Sequence, residues 1–554
     1  MKFSWRRCLF LALALVVGCQ GQINDPENER PGDPDEPPPL DCSDLQPGRA
    51  PMRRLTVDEY DNTVRDLLGD TTGPATRLID DERGVTSADA RLVTVLLVEQ
   101  YLTAAEDVAA RAVGDLPTLL DCDRATVGDD ECARQFIDRV GSRAYRRPIT
   151  DEEATVFFDL YALVASEMTF AEGIQSVVEA ILQAPAFLYR PEIVPLDGEA
   201  VVRLDGYQVA TRLSYFLWST MPDAFLLEAA ANGELEDEAA IAAHARRMLE
   251  DPRSEGAIQR FFDHFLELDQ LDGLSKDPEV FPDFEPAIAE LMRQETEAFI
   301  HAVLIDPEGD RSWATLMTAD WSMMNAELAA YYGVDGPTVD SFERVALDPE
   351  HHAGLLTHGS FLATRARSYE SSPVHRGMFV RGTLLCGIVP DVPENLEVDP
   401  PDPDPSLTTR ERLAEHREDP ACGSCHRQLD PLGFAFEHFD GDGRFRPTEN
   451  GLPIDASGLM VDSDVDGEFD GPVELAAKLT ESEQAQACFA STLFESAQGR
   501  ASNHADGCSI AQLMTDFQGS DFDVRELMVA ITQTDAFLYR VADQDTFLPE
   551  EERP

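Results

Sequence analysis

Apolar residues recur at helical spacing along most of this chain. In "RRLTVDEYDNTVRDLLG" they return every three or four positions, Glu59 follows Thr56 by three residues, and Gly69 closes the run. That pattern predicts an amphipathic helix opened by a capping box and stopped by glycine. "LVTVLLVEQYLTAAEDVAARAV", "FAEGIQSVVEAILQ", "GYQVATRLSYFLWST" and "IAELMRQETEAFIHAVL" carry the same period. The expected fold class is mainly α and, at 554 residues, multi-domain.

Breaks in the pattern divide the chain. They fall near 195–200, 271–284 and, most clearly, in the Pro-Asp linker 390–406. The expected segments are an N-terminal helical domain (51–115), a second helical domain (120–192), a central one (200–335), a domain at 342–447 that contains the linker, and a C-terminal helical domain (465–545). "ILQAPAFLYR" (181–190) and "ITQTDAFLYR" (531–540) agree at seven of ten positions, and each lies downstream of an apolar segment led by a cysteine, Cys132 or Cys488. A duplicated helical unit explains the echo, with domains 120–192 and 465–545 as its two copies. The shared aromatic end reads as core packing followed by a basic helix terminus.

Charge and the first residues place the protein. There are 105 acidic residues against 44 basic, a net charge of −61, which disfavours nucleic acid and favours a cationic partner. Lys2, Arg6 and Arg7 precede an apolar run too short to span a bilayer, ending in "VVGC". Residues 1–18 therefore read as a leader that resembles a lipoprotein signal, with Cys19 as the lipidated mature N-terminus. Residues 19–50 read as an acidic, Pro-rich tether. The expected location is the bacterial cell envelope, with the protein anchored in the membrane through its N-terminal lipid.

Export gives the cysteines a second meaning, because the compartment permits disulfides. Cys422, Cys425 and His426 form C-x-x-C-H, the spacing at which two thiols reach the vinyl groups of a haem and the histidine binds its iron. A structural zinc site would need a second ligand pair, and a redox dithiol would need a βαβ setting. Haem c is the favoured cofactor, and single-electron transfer its expected use. An envelope binding or scaffold protein and an open-iron oxidase or peroxidase are the alternatives. Met460, 34 residues beyond His426, is the candidate distal ligand. The remaining cysteines suggest two local staples, Cys122 with Cys132 and Cys488 with Cys508, and leave Cys42 with Cys386; sequence alone does not set the connectivity.

Two more clusters carry candidate chemistry. "SSPVHRG" brings Arg376, with Arg381 nearby, as candidate partners for haem propionates. No G-x-S-x-G elbow accompanies its serine and histidine, which argues against a hydrolase. "DSDVDGEFDG" alternates Asp462, Asp464 and Asp466 before Gly467, like the first half of a calcium loop, although the twelfth position is Val473 rather than glutamate.

The longer motifs resemble a known family: planctomycete and myxobacterial exported proteins built from domains of unknown function 1587, 1595, 1592, 1588 and 1585, in that order. "RRLTVDEYDNTVRDLLG" is similar to the first. "AYRRPITDEE" through "ILQAPAFLYR" is similar to the second, and "RLSYFLWSTMPDAFLLEAA" with "KDPEVFPDF" to the third. "GLLTHGSFLATRARSYESSPVHRGMFVRGTLLC" and the C-x-x-C-H stretch resemble the fourth, and "FDGPVELAAKL" with the closing "FLYR" the last. Members are described as cytochrome-c-like because of this C-x-x-C-H. The resemblance thus implies a small cytochrome-c-like segment within the helical array and one haem on Cys422, Cys425 and His426.

Overall fold

The computed structural model describes residues 42–45, 47–48, 50, 52–78, 93–192, 201–389, 404–418 and 422–541. The leader, Cys19 and nearly all of the tether lie outside the described residues, as does most of the Pro-Asp linker. The chain is mainly α, and its strands form only two-stranded antiparallel pairs. Among the described residues no helix is long and apolar enough to cross a membrane.

Local signals explain the helix ends. Helix Val57–Leu68 begins where the Thr56 hydroxyl accepts from the Glu59 amide and the Glu59 carboxylate accepts from the Thr56 amide. It stops at Gly69, whose φ of 77° is the left-handed conformation that only glycine adopts without strain.

The two echoing segments share more structure than their ten residues imply. Helix Asp129–Tyr145 is followed by Arg147, which forks onto Glu153, the third residue of the next helix, at 2.8 and 2.9 Å. Helix Glu483–Gln498 is followed by Arg500, which forks onto Asp506 at 2.6 and 2.7 Å. Both carboxylates also close capping boxes, with Thr150 and Asn503. Each copy ends in a "YR" strand whose partner opens an earlier domain. Tyr189–Arg190 pairs with Arg53–Arg54, and Tyr539–Val541 pairs with Val201–Arg203. The ladders continue alike, Leu55 donating to the Leu188 carbonyl and Leu204 to the Leu538 carbonyl. A helix with a capping box then follows each opening strand.

This pairing sorts the helical segments into two cores. One gathers Tyr60, Val64, Phe136, Ile174 and Phe187 from the first two domains. The other runs from Leu213 through Phe299, Phe361 and Phe436 to Phe489 and Phe537, so the central, cysteine–histidine and C-terminal segments share one interior.

The disulfides correct one expectation. Cys122–Cys132 forms as a local staple, but Cys488 is joined to Cys386 and Cys508 to Cys42. Cys488 lies in the second turn of helix 483–498, whereas Cys508 opens the helix after its far end. About 15 Å of helix rise separates Cys488 from that end, beyond disulfide reach. The bridges instead tie distant parts of the chain to the second copy of the repeat.

Within the larger core lies a buried polar network. Glu295, on helix Pro286–Ile300, accepts from the Ser322 hydroxyl and the Tyr332 hydroxyl, both at 2.7 Å. His358 joins it through Ser322 at 3.3 Å and Thr296 at 3.0 Å. Burial pushes Glu295 up to about 7, despite the hydrogen bonds that favour its anion. Its folded-state proton is therefore held more tightly than in the unfolded chain, so stability falls as pH rises from 4.5 through about 7. His358, pushed down to about 3 by burial, has the opposite sign and loses stability as pH falls below 6.5. Glu295→Gln removes only the first effect. In denaturant unfolding, the stability of E295Q relative to wild type should improve by roughly 3 kcal/mol from pH 5 to pH 8. A difference independent of pH would contradict the protonated state assigned to Glu295.

Candidate cysteine–histidine site

Helix Gly423–Phe434 begins at Cys422, whose carbonyl accepts from the amides of Cys425 and His426 at 3.2 and 3.1 Å. Cys422, Cys425 and His426 thus occupy positions i, i+3 and i+4 on one side of the first turn. All three are partly exposed, and the two cysteines remain thiols outside the three disulfides. Farther along, Leu429, Leu432 and Phe434 are buried and anchor the helix.

Asp430 completes this arrangement. It is fully buried one turn after His426, and its Oδ1 lies 2.9 Å from His426 Nδ1. With Nδ1 donating to that carboxylate, Nε2 is the nitrogen suited to a metal. Asp430 Oδ2 is buried with no hydrogen-bond partner. An uncompensated carboxylate oxygen in the interior is costly, and positive charge gained by the imidazole would offset it. Two thiols, one oriented imidazole and this carboxylate fit the attachment of a c-type haem. Asp430 lies outside the C-x-x-C-H motif, and its signal in the sequence is a histidine and an aspartate four residues apart on one helix.

The helix is held by close backbone packing. Helix Pro373–Phe379, the "SSPVHRG" segment, crosses it at Gly377 and Gly433. A Cβ on Gly377 would collide with the Leu429 carbonyl, and one on Gly433 with the Pro373 carbonyl. Arg376 is fully buried and donates to the carbonyls of Phe436, Phe439, Asp440 and Leu362 at 2.8 to 3.2 Å. Ser371 donates to Glu437 at 3.0 Å. The segment is therefore a brace, and Arg376 is not a propionate partner: its guanidinium already holds the chain beyond the helix. Arg381 is buried as well and donates to the Val461 carbonyl at 2.8 Å, fixing the chain just after Met460.

The other candidates have other roles. Met460 ends strand Ser457–Met460, fully buried in the larger core, where it acts as packing. The three aspartates do not converge. Asp462 accepts from Gln428, Asp464 from Ser482 and the Gln484 amide at a helix start, and Asp466 from Ser463. Among the described residues no group of three His, Cys, Asp or Glu side chains could hold a metal ion. The alternation that resembled a calcium loop is three separate hydrogen-bonding arrangements, of which only that of Asp464 lies at a helix start.

Comparison with known proteins gives five family matches, each described as a protein of unknown function. They are DUF1587 over residues 53–114, DUF1595 over 132–192, DUF1592 over 204–334, DUF1588 over 352–449 and DUF1585 over 466–537. No curated protein and no solved structure matches. The brace and the cysteine–histidine helix fall within one matched segment, DUF1588. With all five domains present in order along the chain, the protein belongs to the family built from DUF1587, DUF1595, DUF1592, DUF1588 and DUF1585.

Proposed function

We propose that the protein is a c-type cytochrome-like component of the cell envelope, lipid-anchored through Cys19, that carries one haem and transfers single electrons. The observation that supports this reading best is the first turn of helix 423–434. It presents two thiols and a histidine whose Nδ1 is fixed by a buried carboxylate. When bound there, haem supplies one-electron chemistry at iron. The protein's residues do the rest: Cys422 and Cys425 attach, His426 ligates through Nε2, and Asp430 orients the imidazole and raises its basicity. The strongly acidic surface favours docking with a cationic redox partner and makes that docking salt-sensitive.

A second reading, a haem enzyme with an open iron position, gains support from one observation. Met460 is fully buried in the core while the three motif residues are partly exposed. Binding of carbon monoxide to the reduced protein distinguishes an open position from a closed one.

Protein exported from a host with cytochrome c maturation machinery should carry covalent haem by in-gel haem staining and a pyridine haemochrome spectrum. Cys425→Ser should lose one thioether link and shift that spectrum. A folded, exported wild-type protein without covalent haem would overturn the proposal.

Asp430→Asn tests the positioning role. The variant should keep its haem, but its reduction potential should rise on the order of tens of millivolts, because a neutral acceptor leaves the imidazole less basic and the oxidised iron less stabilised. An unchanged potential in the haem-loaded variant would remove Asp430 from that role.

A further inference from the structure

Acidic residues outnumber basic ones more than two to one in this chain, yet five arginines line one cavity. It has a volume of about 160 Å³ and lies where the strand pair 53–54/189–190 meets helix Gly206–Trp218 and the end of helix 483–498. Its walls include Arg53, Arg146, Arg147, Arg190 and Arg212 against two carboxylates, Glu192 and Asp205, and none of its lining residues belongs to the cysteine–histidine segment.

The local pairing leaves positive charge uncompensated. Arg212 forks onto Glu192 at 2.5 and 2.7 Å, and Arg147 onto Glu153. Arg190 has Glu59 at 3.4 Å. Arg146 instead donates to the carbonyls of Ala186, Phe187 and Tyr189 and to the Tyr215 hydroxyl, and Arg53 donates to the Ala497 carbonyl. Among the described residues, neither of these two has a carboxylate in ion-pair contact. Burial, and then the proximity of Arg190, push Arg53 down to about 9.

The unpartnered polar atoms of the lining residues are all of one kind. Arg53 Nε, Arg190 Nε and Gln498 Nε2 are buried without a hydrogen-bond acceptor, and Arg190 Nη2 has only the Glu59 carboxylate at 3.4 Å. Arg190 and Gln498 are each more than nine-tenths buried. Three donors and no unmatched acceptor among the lining residues of one small cavity call for a ligand rich in acceptors, and the excess guanidinium charge calls for an anion. A neutral ligand would leave the charge unmatched, and a cation would meet neither demand.

We propose that this cavity binds a small oxyanion, supplied by an organic carboxylate or a phosphate, held chiefly by Arg53 and Arg190. The site lies where strand 53–54, the end of the first repeat copy and the end of a second-copy helix meet, so an occupied cavity ties the two halves of the fold together.

Isothermal titration of the full mature protein in detergent at low ionic strength tests this, with benzoate and inorganic phosphate as probes and benzyl alcohol as the uncharged control. At least one anion should bind saturably at one site per chain, and the alcohol should not bind. Benzoate alone would assign an organic carboxylate, and phosphate alone a phosphate. Arg53→Gln should weaken binding at least about tenfold. Arg246→Gln, which alters an exposed pair with Glu526 outside the cavity, should leave binding essentially unchanged. If R53Q fails to fold by circular dichroism, Arg190→Lys, which keeps the charge but loses the guanidinium fork, is read in the same way. Binding of neither anion to folded wild type, or equal binding by the folded cavity variant, would overturn the proposal.

Discussion

The backbone contact between helices 373–379 and 423–434 is the constraint on which the cysteine–histidine site depends. Gly377 and Gly433 have no Cβ, so each lets the other helix's carbonyls come within packing distance. Helices this close can shift little along one another, because the interior is packed as densely as a crystal of small molecules. Arg376 then gathers the carbonyls that follow the second helix and fixes its exit. With its middle and end fixed, the helix keeps Asp430 inside and leaves Cys422, Cys425 and His426 within reach of solvent. The chemistry at the first turn therefore rests on two missing methyl groups, one at Gly433 later on the same helix and one at Gly377 on the helix that crosses it.

The same economy runs through the rest of the molecule. Basic residues are outnumbered more than two to one, and many are drawn inside to bind carbonyls or single carboxylates: Arg146, Arg190, Arg376, Arg381 and Arg525 are all buried. The chain that remains at the surface is strongly acidic. Burying guanidinium groups is tolerable only where acceptors surround them, as four carbonyls do at the two terminal nitrogens of Arg376, although its Nε is left without one. Where acceptors run short, around Arg53 and Arg190, the remaining donors mark a place for something negative.

Much of the helical framework was legible in the sequence because helix signals are local. The Thr56–Glu59 box and Gly69 act at the positions their spacing indicates, and the ten-residue echo marks two structurally equivalent ends. What stayed hidden depends on long-range geometry. Nothing local reveals that Cys488 faces residue 386 while Cys508 faces residue 42. Alternating aspartates register along the chain, but their directions do not, and Asp462, Asp464 and Asp466 turn to three different donors. Arg376 suggested a ligand because a buried arginine that binds carbonyls cannot be distinguished by sequence from an exposed one that binds an anion. Asp430 was missed for the converse reason: an aspartate among 105 acidic residues carries little signal until its burial beside His426 is seen.

The central claim is that the chain reserves Cys422 and Cys425 for haem while six other cysteines form its structural bridges. Non-reducing peptide mapping by mass spectrometry of the mature exported protein tests this most directly. The account predicts cross-linked peptides for Cys42–Cys508, Cys122–Cys132 and Cys386–Cys488, together with a haem-bearing peptide containing Cys422, Cys425 and His426. A Cys422–Cys425 disulfide with no haem mass on that peptide would contradict it.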